Sequence, residues 1–437
     1  MLEWKDSPYR KPLIIRGARQ VGKSYLIREF AKNEFESFVE INLELQPELK
    51  ACFNTKMPDK ILKSIQLILN KEIKAGQTIF FLDEIQECPE AILSLRYFYE
   101  LMPELHVIAA GSLLEFALNR EEFRSPVGRI EYLHLYPLSF EEFLNALDEG
   151  LILKFLHEVK LSDEFASPVH EKLLELYKDY LLVGGMPEVV KTYRETKNFT
   201  TIKKIQISLL QTYRDDFSKY GSSAKQKNLE KVFYHVPVIL GKKIKYVEID
   251  KDTPSRELKN AIDLLESAGV VNRVVASSKA QLPLSYYAKD NFFKLIFLDT
   301  GLALRTTGLE ETVFTSPNLL GVYEGGLAEQ FVGQELIANS DPLEKAKLYN
   351  WERMKPSSTA EVDYLFVYKS NIYPVEVKAG KTGSLKSLQV YNKENMNQIS
   401  IRYSKLPLSF HEGLLSVPLY MIAETSKLID EALLNNI

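Results

Sequence analysis

Residues 12–30 read PLIIRGARQVGKSYLIREF, and the fold turns on how this stretch is read. Leu13–Ile15 is a short apolar run suited to a buried parallel strand, Gly17–Ser24 spells G-x-x-x-x-G-K-S, and Tyr25–Phe30 carries helical spacing. Strand, glycine-rich turn and helix in that order make a phosphate-binding loop. Gly17, Ala18, Arg19, Gln20, Val21 and Gly22 would turn backbone amides inward around phosphates, with Tyr25 just beyond the loop. Lys23 would reach the outer phosphates and the Ser24 hydroxyl would ligate Mg²⁺. ATP with Mg²⁺ is the ligand expected.

Outward from the loop, strand and helix signals alternate over the first 150 or so residues. Phe38–Leu43 (FVEINL) reads as a second strand and Ile61–Ile73 as an amphipathic helix. Ile79–Glu84, IFFLDE, has four apolar residues ending in two adjacent carboxylates, as a central parallel strand would whose C-terminal end faces the nucleotide. Asp83 would hold the Mg²⁺ through water, and Glu84, pointing elsewhere, would polarise an attacking water as general base. Such a pair suits attack by water better than transfer to a bound acceptor, which disfavours a nucleotide kinase. Leu105–Ser112 (LHVIAAGS) is a further apolar strand.

The chain has 437 residues, too many for one core, so about three domains are expected. Hydrophobic residues at 45%, charged residues at 26% and a net charge of −4 fit a soluble protein with no basic excess. A nucleic-acid partner would have to be met by a local patch. Cys52 and Cys88 make no disulfide or zinc spacing, residues 1–10 are too polar for a signal peptide, and no apolar run reaches the length of a membrane span. A cytoplasmic setting with no membrane partner follows as the expectation.

RKPLIIRGARQVGKSYLIREF, FLDEIQECPEAILSLRYFYE, AAGSLLEFAL, PVGRIEYLHLYPLSFEEFL and YLLVGGMPEVV together resemble a prokaryotic family of AAA-type ATPases that carry a C-terminal domain of unknown function. The resemblance runs over nearly the whole chain. It implies an α/β architecture: an AAA+ P-loop core with a parallel sheet, expected at 1–148, a helical lid at 149–220, and a restriction-endonuclease-like, PD-(D/E)XK-type α/β domain at 286–437; the residues between, 221–285, read by their own pattern as a winged-helix-like module. Related ATPases place a polar sensor where Ser112 stands. In ring-forming ones an arginine near the position of Arg124 or Arg129 reaches a neighbour's outer phosphate, which makes a homo-oligomer one candidate assembly.

In the lid, His170–Leu182 and Thr201–Tyr213 have helical spacing, and Gly184-Gly185-Met186-Pro187 reads as a stop and restart. Many AAA+ lids offer an arginine here; Pro187 stands instead. Arg214, Asp215 and Asp216 read as a solvated helix end. Farther on, Asn228–Ile239 is apolar-periodic, Tyr246–Ile249 is strand-like, a helix begins at Pro254-Ser255, and VVNRVVAS after Gly269 reads as the first strand of a wing. Lys225, Lys227, Lys231, Lys242, Lys243, Lys245 and Lys259 add local positive charge, and Ser255, Arg256 and Lys259 would face a DNA groove.

The last third holds a second constellation. GLAEQFVGQEL (326–336) looks helical, while KLYNW, EVDYLFVY, IYPVEVKAG and QISIRYS look like strands around a helix from Ser384 to about Asn392. Asp363 followed by Glu376-x-Lys378 resembles the core of endonuclease-type sites: two carboxylates for a second Mg²⁺ and a lysine to orient or deprotonate water. Glu329 is the best third acid and Glu335 the reserve. Three functions compete on these residues. One is a Mg²⁺-dependent ATPase whose cycle controls a DNA- or partner-binding C-terminal half, another an ATP-gated nuclease, the third a non-hydrolysing nucleotide-dependent scaffold.

Overall fold

Strands form where the chain offers apolar runs too short for helices and bounded by polar turns. The computed structural model describes residues 1–111, 128–220, 222–309, 321–353, 360–380 and 384–435, and these divide into two units. The first consists of Met1–Tyr136 with Ser267–Gly269 and Asp341–Lys345; the second holds the remainder.

In the first unit β1 (Leu13–Arg16), β2 (Ser37–Asn42), β3 (Thr78–Asp83), β4 (His106–Ala110) and β5 (Glu131–His134) form one sheet in the order β2-β3-β4-β1-β5. Every pairing is parallel. A parallel sheet must be covered on both faces, and the alternation of side chains supplies two cores. Ile14, Phe80, Leu82 and Val107 pack on one face with Ile61, Ile65, Leu95 and Phe98 from the helices Pro58–Leu69 and Pro89–Leu101. Leu13, Ile15, Phe81 and Ile108 pack on the other with Ile27 and Ala31 of the helix Lys23–Glu34, and with Trp4. With β4 lying between β1 and β3, the loops leaving β1 and β3 open at one edge of the sheet and flank a crevice.

The second unit begins with helices, among them Phe140–Ala146, Ser167–Val183, Pro187–Thr196 and Phe199–Asp216. Ser139 and Glu142 form a reciprocal capping box at the first, and Asn198 accepts from Thr200 and Thr201 at the last. Gly184 and Gly185 do more than interrupt a helix. Gly185 N–H donates to Asp299 Oδ2 at 2.6 Å, and a Cβ on Gly184, at φ 77°, would stand 2.1 Å from Asp299 Oδ1. Residues near the end of the chain return to these first helices: Tyr420 Oη and His170 Nδ1 are 2.6 Å apart, Glu431 accepts from Leu161 N–H, and Lys427 donates to the His157 carbonyl.

Two sheets follow. β6 (Val271–Ser277) and β7 (Ala288–Phe297) make an antiparallel hairpin, and β8 (Leu348–Glu352) and β9 (Glu361–Val362) extend it in the order β7-β6-β8-β9. A wing would end at that hairpin, but the other edge of β6 pairs in parallel with β8, so strands from either side of residue 285 share one sheet. β10 (Tyr364–Tyr368), β11 (Asn371–Lys378), β12 (Ser400–Ser404), β13 (Ser409–His411) and β14 (Leu414–Pro418) form the other, in the order β10-β11-β12-β14-β13.

Local expectations change in three places. Tyr246–Ile249 is a helical turn rather than a strand, its Asp250 N–H bonded to the Tyr246 carbonyl and its Val247 61% exposed. The helix expected to reach Ile73 ends at Leu69, because Asn70 takes the left-handed conformation at φ 50° and stops it. Asp216, expected in solvent, is buried and pairs with Lys219. Among the described residues no helix is long and apolar enough to cross a membrane.

Candidate functional site

The loop after β1 takes its shape from its glycines. Gly17 sits at φ 148° and a Cβ there would stand 2.2 Å from the Leu135 carbonyl oxygen; Gly22, at φ 96°, precedes the Lys23–Glu34 helix. Lys23 is only 8% exposed, and its ammonium donates to the carbonyls of Gly17 at 2.9 Å and Ala18 at 2.7 Å. Burial lowers its pKa to about 8, against the attraction of Glu84 and Asp83. A buried cation bonded to neutral carbonyls at a helix N-terminus is the right receptor for phosphate.

Fifty-nine residues downstream, β3 delivers Asp83 to the same point. The Ser24 hydroxyl lies 3.1 and 3.2 Å from the two Asp83 carboxylate oxygens, and Asn42 from the end of β2 donates to Asp83 Oδ2 at 3.3 Å. Burial, then the neighbouring Glu84, pushes the Asp83 carboxyl upward. A hydroxyl and a carboxylate in contact beside a phosphate receptor fit the donor set Mg²⁺ requires.

Glu84 follows in a left-handed conformation, φ 49° and ψ 47°, a strained choice for a residue with a Cβ. That turn lets Gln86 Nε2 donate to Glu84 Oε2 at 2.6 Å, while Gln86 Oε1 is buried with no hydrogen-bond partner among the described residues. Sequence reasoning missed Gln86, which carries no signal beyond standing two places after the acid. It read Gly269 only as a boundary between helix and strand. Within the first unit a Cβ on this glycine, at φ 72°, would stand 3.3 Å from the Ala18 amide nitrogen of the phosphate loop.

The remaining expected residues do not all converge. Ser112 and Arg124 lie outside the described residues. Arg129 is paired with Glu100 at 2.9 Å and precedes β5, which lies parallel to β1, so it stands at the N-terminal end of the strands, opposite the end from which the phosphate loop leaves. Tyr25 is 70% exposed.

In the second unit, Asp363 at the β9–β10 junction accepts from Val377 N–H of β11 at 2.8 Å, and Lys378 donates to Glu376 Oε1 at 2.6 Å. Glu376 is 6% exposed, so this E-x-K is no solvated strand edge. Lys294 of β7, which carries no motif of its own and escaped sequence reasoning, is also 6% exposed. Its ammonium reaches Glu361 at 2.7 Å, Glu329 at 3.0 Å and Asp363 at 3.5 Å. Burial raises the carboxyls of Glu329 and Glu376, with Asp363 adding to both. Glu335 is elsewhere: it accepts from Phe140 N–H at 2.9 Å, and burial raises it to about 8. Of the lysines between 225 and 259, Lys231 pairs with Asp250, Lys243 with Glu352 and Glu361, and Lys245 with Glu248. Lys225, Lys227, Lys242 and Lys259 are exposed, as are Ser255 and Arg256.

Residues 9–144 match the family model described as AAA domain, and the first unit is accordingly an AAA-type P-loop domain with a nucleotide-binding site. Residues 174–313 and 324–421 match two models, each described as a domain of unknown function (DUF8612 and DUF4143). No curated protein matches the chain. Among solved structures the chain is similar to the Walker-type ATPase PABY2304 of Pyrococcus abyssi, at 17% identity and a TM-score of 0.44 over 70% of this chain and 93% of that one. It is similar also to the Aeropyrum pernix ORC2 protein, at 13% identity and a TM-score of 0.33 over 70% and 89%. A third likeness is to the Thermotoga maritima RuvB Holliday junction branch migration motor, at 14% identity and a TM-score of 0.30 over 72% and 91%. Likenesses at scores this low do not extend to a shared activity or partner.

Proposed function

We propose that the protein is a Mg²⁺-dependent ATPase whose nucleotide cycle controls a DNA- or partner-binding C-terminal half. The observation that carries this reading is the meeting of Lys23, Ser24 and Asp83 from two separate strand ends, with Glu84 one residue on. Mg²⁺, when bound with ATP, supplies charge that offsets the outer phosphates, and Ser24 and Asp83 would hold it. Lys23 exchanges its carbonyl partners for phosphate oxygens. Glu84, released from Gln86, takes the proton of the attacking water. Ser112 acts as sensor, and Arg124 or Arg129 acts on a neighbouring copy of the chain; Arg129's place at the strand ends opposite its own phosphate loop favours action in trans.

The division into an ATPase core at 1–148, a lid at 149–220, a winged-helix-like module from 221 and an endonuclease-like fold to 437 belongs to the same proposal, with the expected boundary at 285 crossed by the sheet β7-β6-β8-β9. The β6–β7 hairpin supports the wing, and the exposed Ser255, Arg256 and Lys259 at the start of a helix support a DNA or protein contact. The test is phosphate release with and without DNA. Release should fall to background in Lys23→Ala and by about 100-fold or more in Glu84→Gln; no release from the parent would favour a scaffold that binds nucleotide without hydrolysing it.

One observation favours a second reading, an ATP-gated Mg²⁺-dependent nuclease: Asp363 is bonded to β11 beside Glu376 and Lys378. Incubating plasmid with Mg²⁺ or Mn²⁺ tests it, and cleavage must vanish in Asp363→Ala and Lys378→Ala.

A further inference from the structure

A divalent metal at a D…E-x-K site needs carboxylate oxygens drawn together around one point. Among the described residues, the trio of acidic or imidazole side chains whose ligand atoms all fall within 4.8 Å of one another is Glu141, His157 and Glu424, a partly buried group that lies elsewhere, with Lys427 already 2.6 Å from Glu424. Glu329, Asp363 and Glu376 form no such trio. The reason is visible in what separates them. Lys294 enters from β7, between Phe293 and Leu295 in a run that is otherwise core, and brings an ammonium into the middle of the acids.

That ammonium meets two of the three expected acids, Glu329 and Asp363, together with Glu361, while Glu376 keeps to Lys378. Glu329 comes from the helix Gly321–Ala338, Glu361 from β9 and Asp363 from the β9–β10 junction, at 3.0, 2.7 and 3.5 Å. These are hydrogen-bond lengths to nitrogen, well beyond the roughly 2.1 Å of a Mg²⁺–oxygen bond. The surroundings are built for the ammonium. Lys243 neutralises the second oxygen of Glu361 at 3.2 Å, Tyr364 donates to the Glu329 backbone carbonyl, and a Cβ on Gly241 would stand 3.0 Å from Glu329 Oε1. Lys378 is occupied by Glu376 at 2.6 Å, the partner it would have to leave to act on water. Among the described residues the acids Glu329, Glu352, Glu361, Asp363 and Glu376 face only three ammoniums, Lys243, Lys294 and Lys378, and Glu376 Oε2 is buried with no hydrogen-bond partner. Losing one of the three cations would leave a strongly anionic pocket.

We propose that Lys294 is the resident cation of the D…E-x-K site, taking the place a divalent metal would hold, so that the C-terminal half keeps the carboxylate constellation without metal-dependent phosphodiester cleavage. The ammonium holds that place whether or not the first unit hydrolyses ATP. Its presence sets aside the nuclease reading and leaves a binding role for that half.

The test is Mn²⁺ binding followed by electron paramagnetic resonance on the nucleotide-free, full-length chain. Sites near Ser24 and Asp83 are common to every variant, so the differences report on the C-terminal constellation. The parent and Asp363→Asn should bind the same amount of Mn²⁺. Lys294→Met, which keeps the stem and removes the charge, should gain one equivalent, lost again when Asp363→Asn is added; Lys294→Arg should gain none. Should Lys294→Met fold poorly alone, Mn²⁺ should raise its melting temperature by more than it raises that of the parent. Plasmid should stay intact with the parent in Mg²⁺ or Mn²⁺. A parent site for Mn²⁺ that Asp363→Asn abolishes, parent cleavage abolished by Asp363→Ala, or a Lys294→Met chain that Mn²⁺ binds and stabilises no more than the parent would each overturn the proposal.

Discussion

Two buried lysines set the chemistry, one at each constellation, and they differ in what surrounds them. Lys23 donates to neutral carbonyls, and its pKa sits near 8, below the ordinary 10.5. The unfolded chain therefore holds this proton more tightly than the folded one, so the group adds stability to the unliganded protein as pH rises from about 8 toward 10.5. Phosphates reverse the preference by favouring the ammonium. ATP affinity should accordingly weaken as pH climbs past about 8, and calorimetry in buffers of different ionisation enthalpy should register proton uptake on binding there. Lys23→Met should abolish that uptake along with most of the affinity. Lys294 behaves oppositely, its ammonium held charged by Glu329, Asp363 and Glu361 despite burial. Its meaning was available in the sequence, since a lone lysine inside FFKLIF must be paired if the strand is buried. Which acids pair with it was not readable, because Glu329, Glu361 and Asp363 arrive from 35 to 69 residues away.

Among elements, those that carry their own periodicity were legible and those that depend on a distant partner were not. β1, β3 and β4 are continuous apolar runs because a parallel sheet buries both faces, and that pattern needs no tertiary knowledge. Tyr246–Ile249 is too short for any period to decide, and its helical turn is set by local backbone bonds. The Gly184-Gly185 junction was readable as punctuation only, for its partner Asp299 is 114 residues away. Asp299 is fully buried, accepts from Gly185 and Leu302 N–H, and has its pKa raised to about 6 by burial. Gly184→Ala forces a Cβ against that carboxylate at a positive φ, and should cost about 2–4 kcal/mol in urea unfolding. Asp299→Asn retains the shape but turns one acceptor into a donor facing another donor, at a cost of about 1–3 kcal/mol. For the parent, the raised pKa means that this group's contribution to stability is greatest below pH 4 and declines as pH rises through about 6.

At the scale of the molecule, the AAA-type unit and the unit that follows are different kinds of construction. The first is a parallel sheet completed within 134 residues, apart from short returns at Ser267–Gly269 and Asp341–Lys345. Mass from light scattering, with and without a non-hydrolysable ATP analogue, should rise to a multiple of 50.2 kDa with nucleotide if Arg129 acts on a neighbour; a monomer in both conditions removes that role. In the second unit His170 meets Tyr420, Leu161 meets Glu431, and β6 lies against β8 across more than seventy residues of intervening chain. These closures fix an order of assembly during translation. The N-terminal sheet has all its strands once residue 134 has emerged from the ribosome, whereas the second unit waits for the last helix, Thr425–Asn435. A growing chain therefore carries a finished sheet joined to an open, unsealed partner for most of its synthesis, and a premature stop near the end removes the clasp of an entire unit.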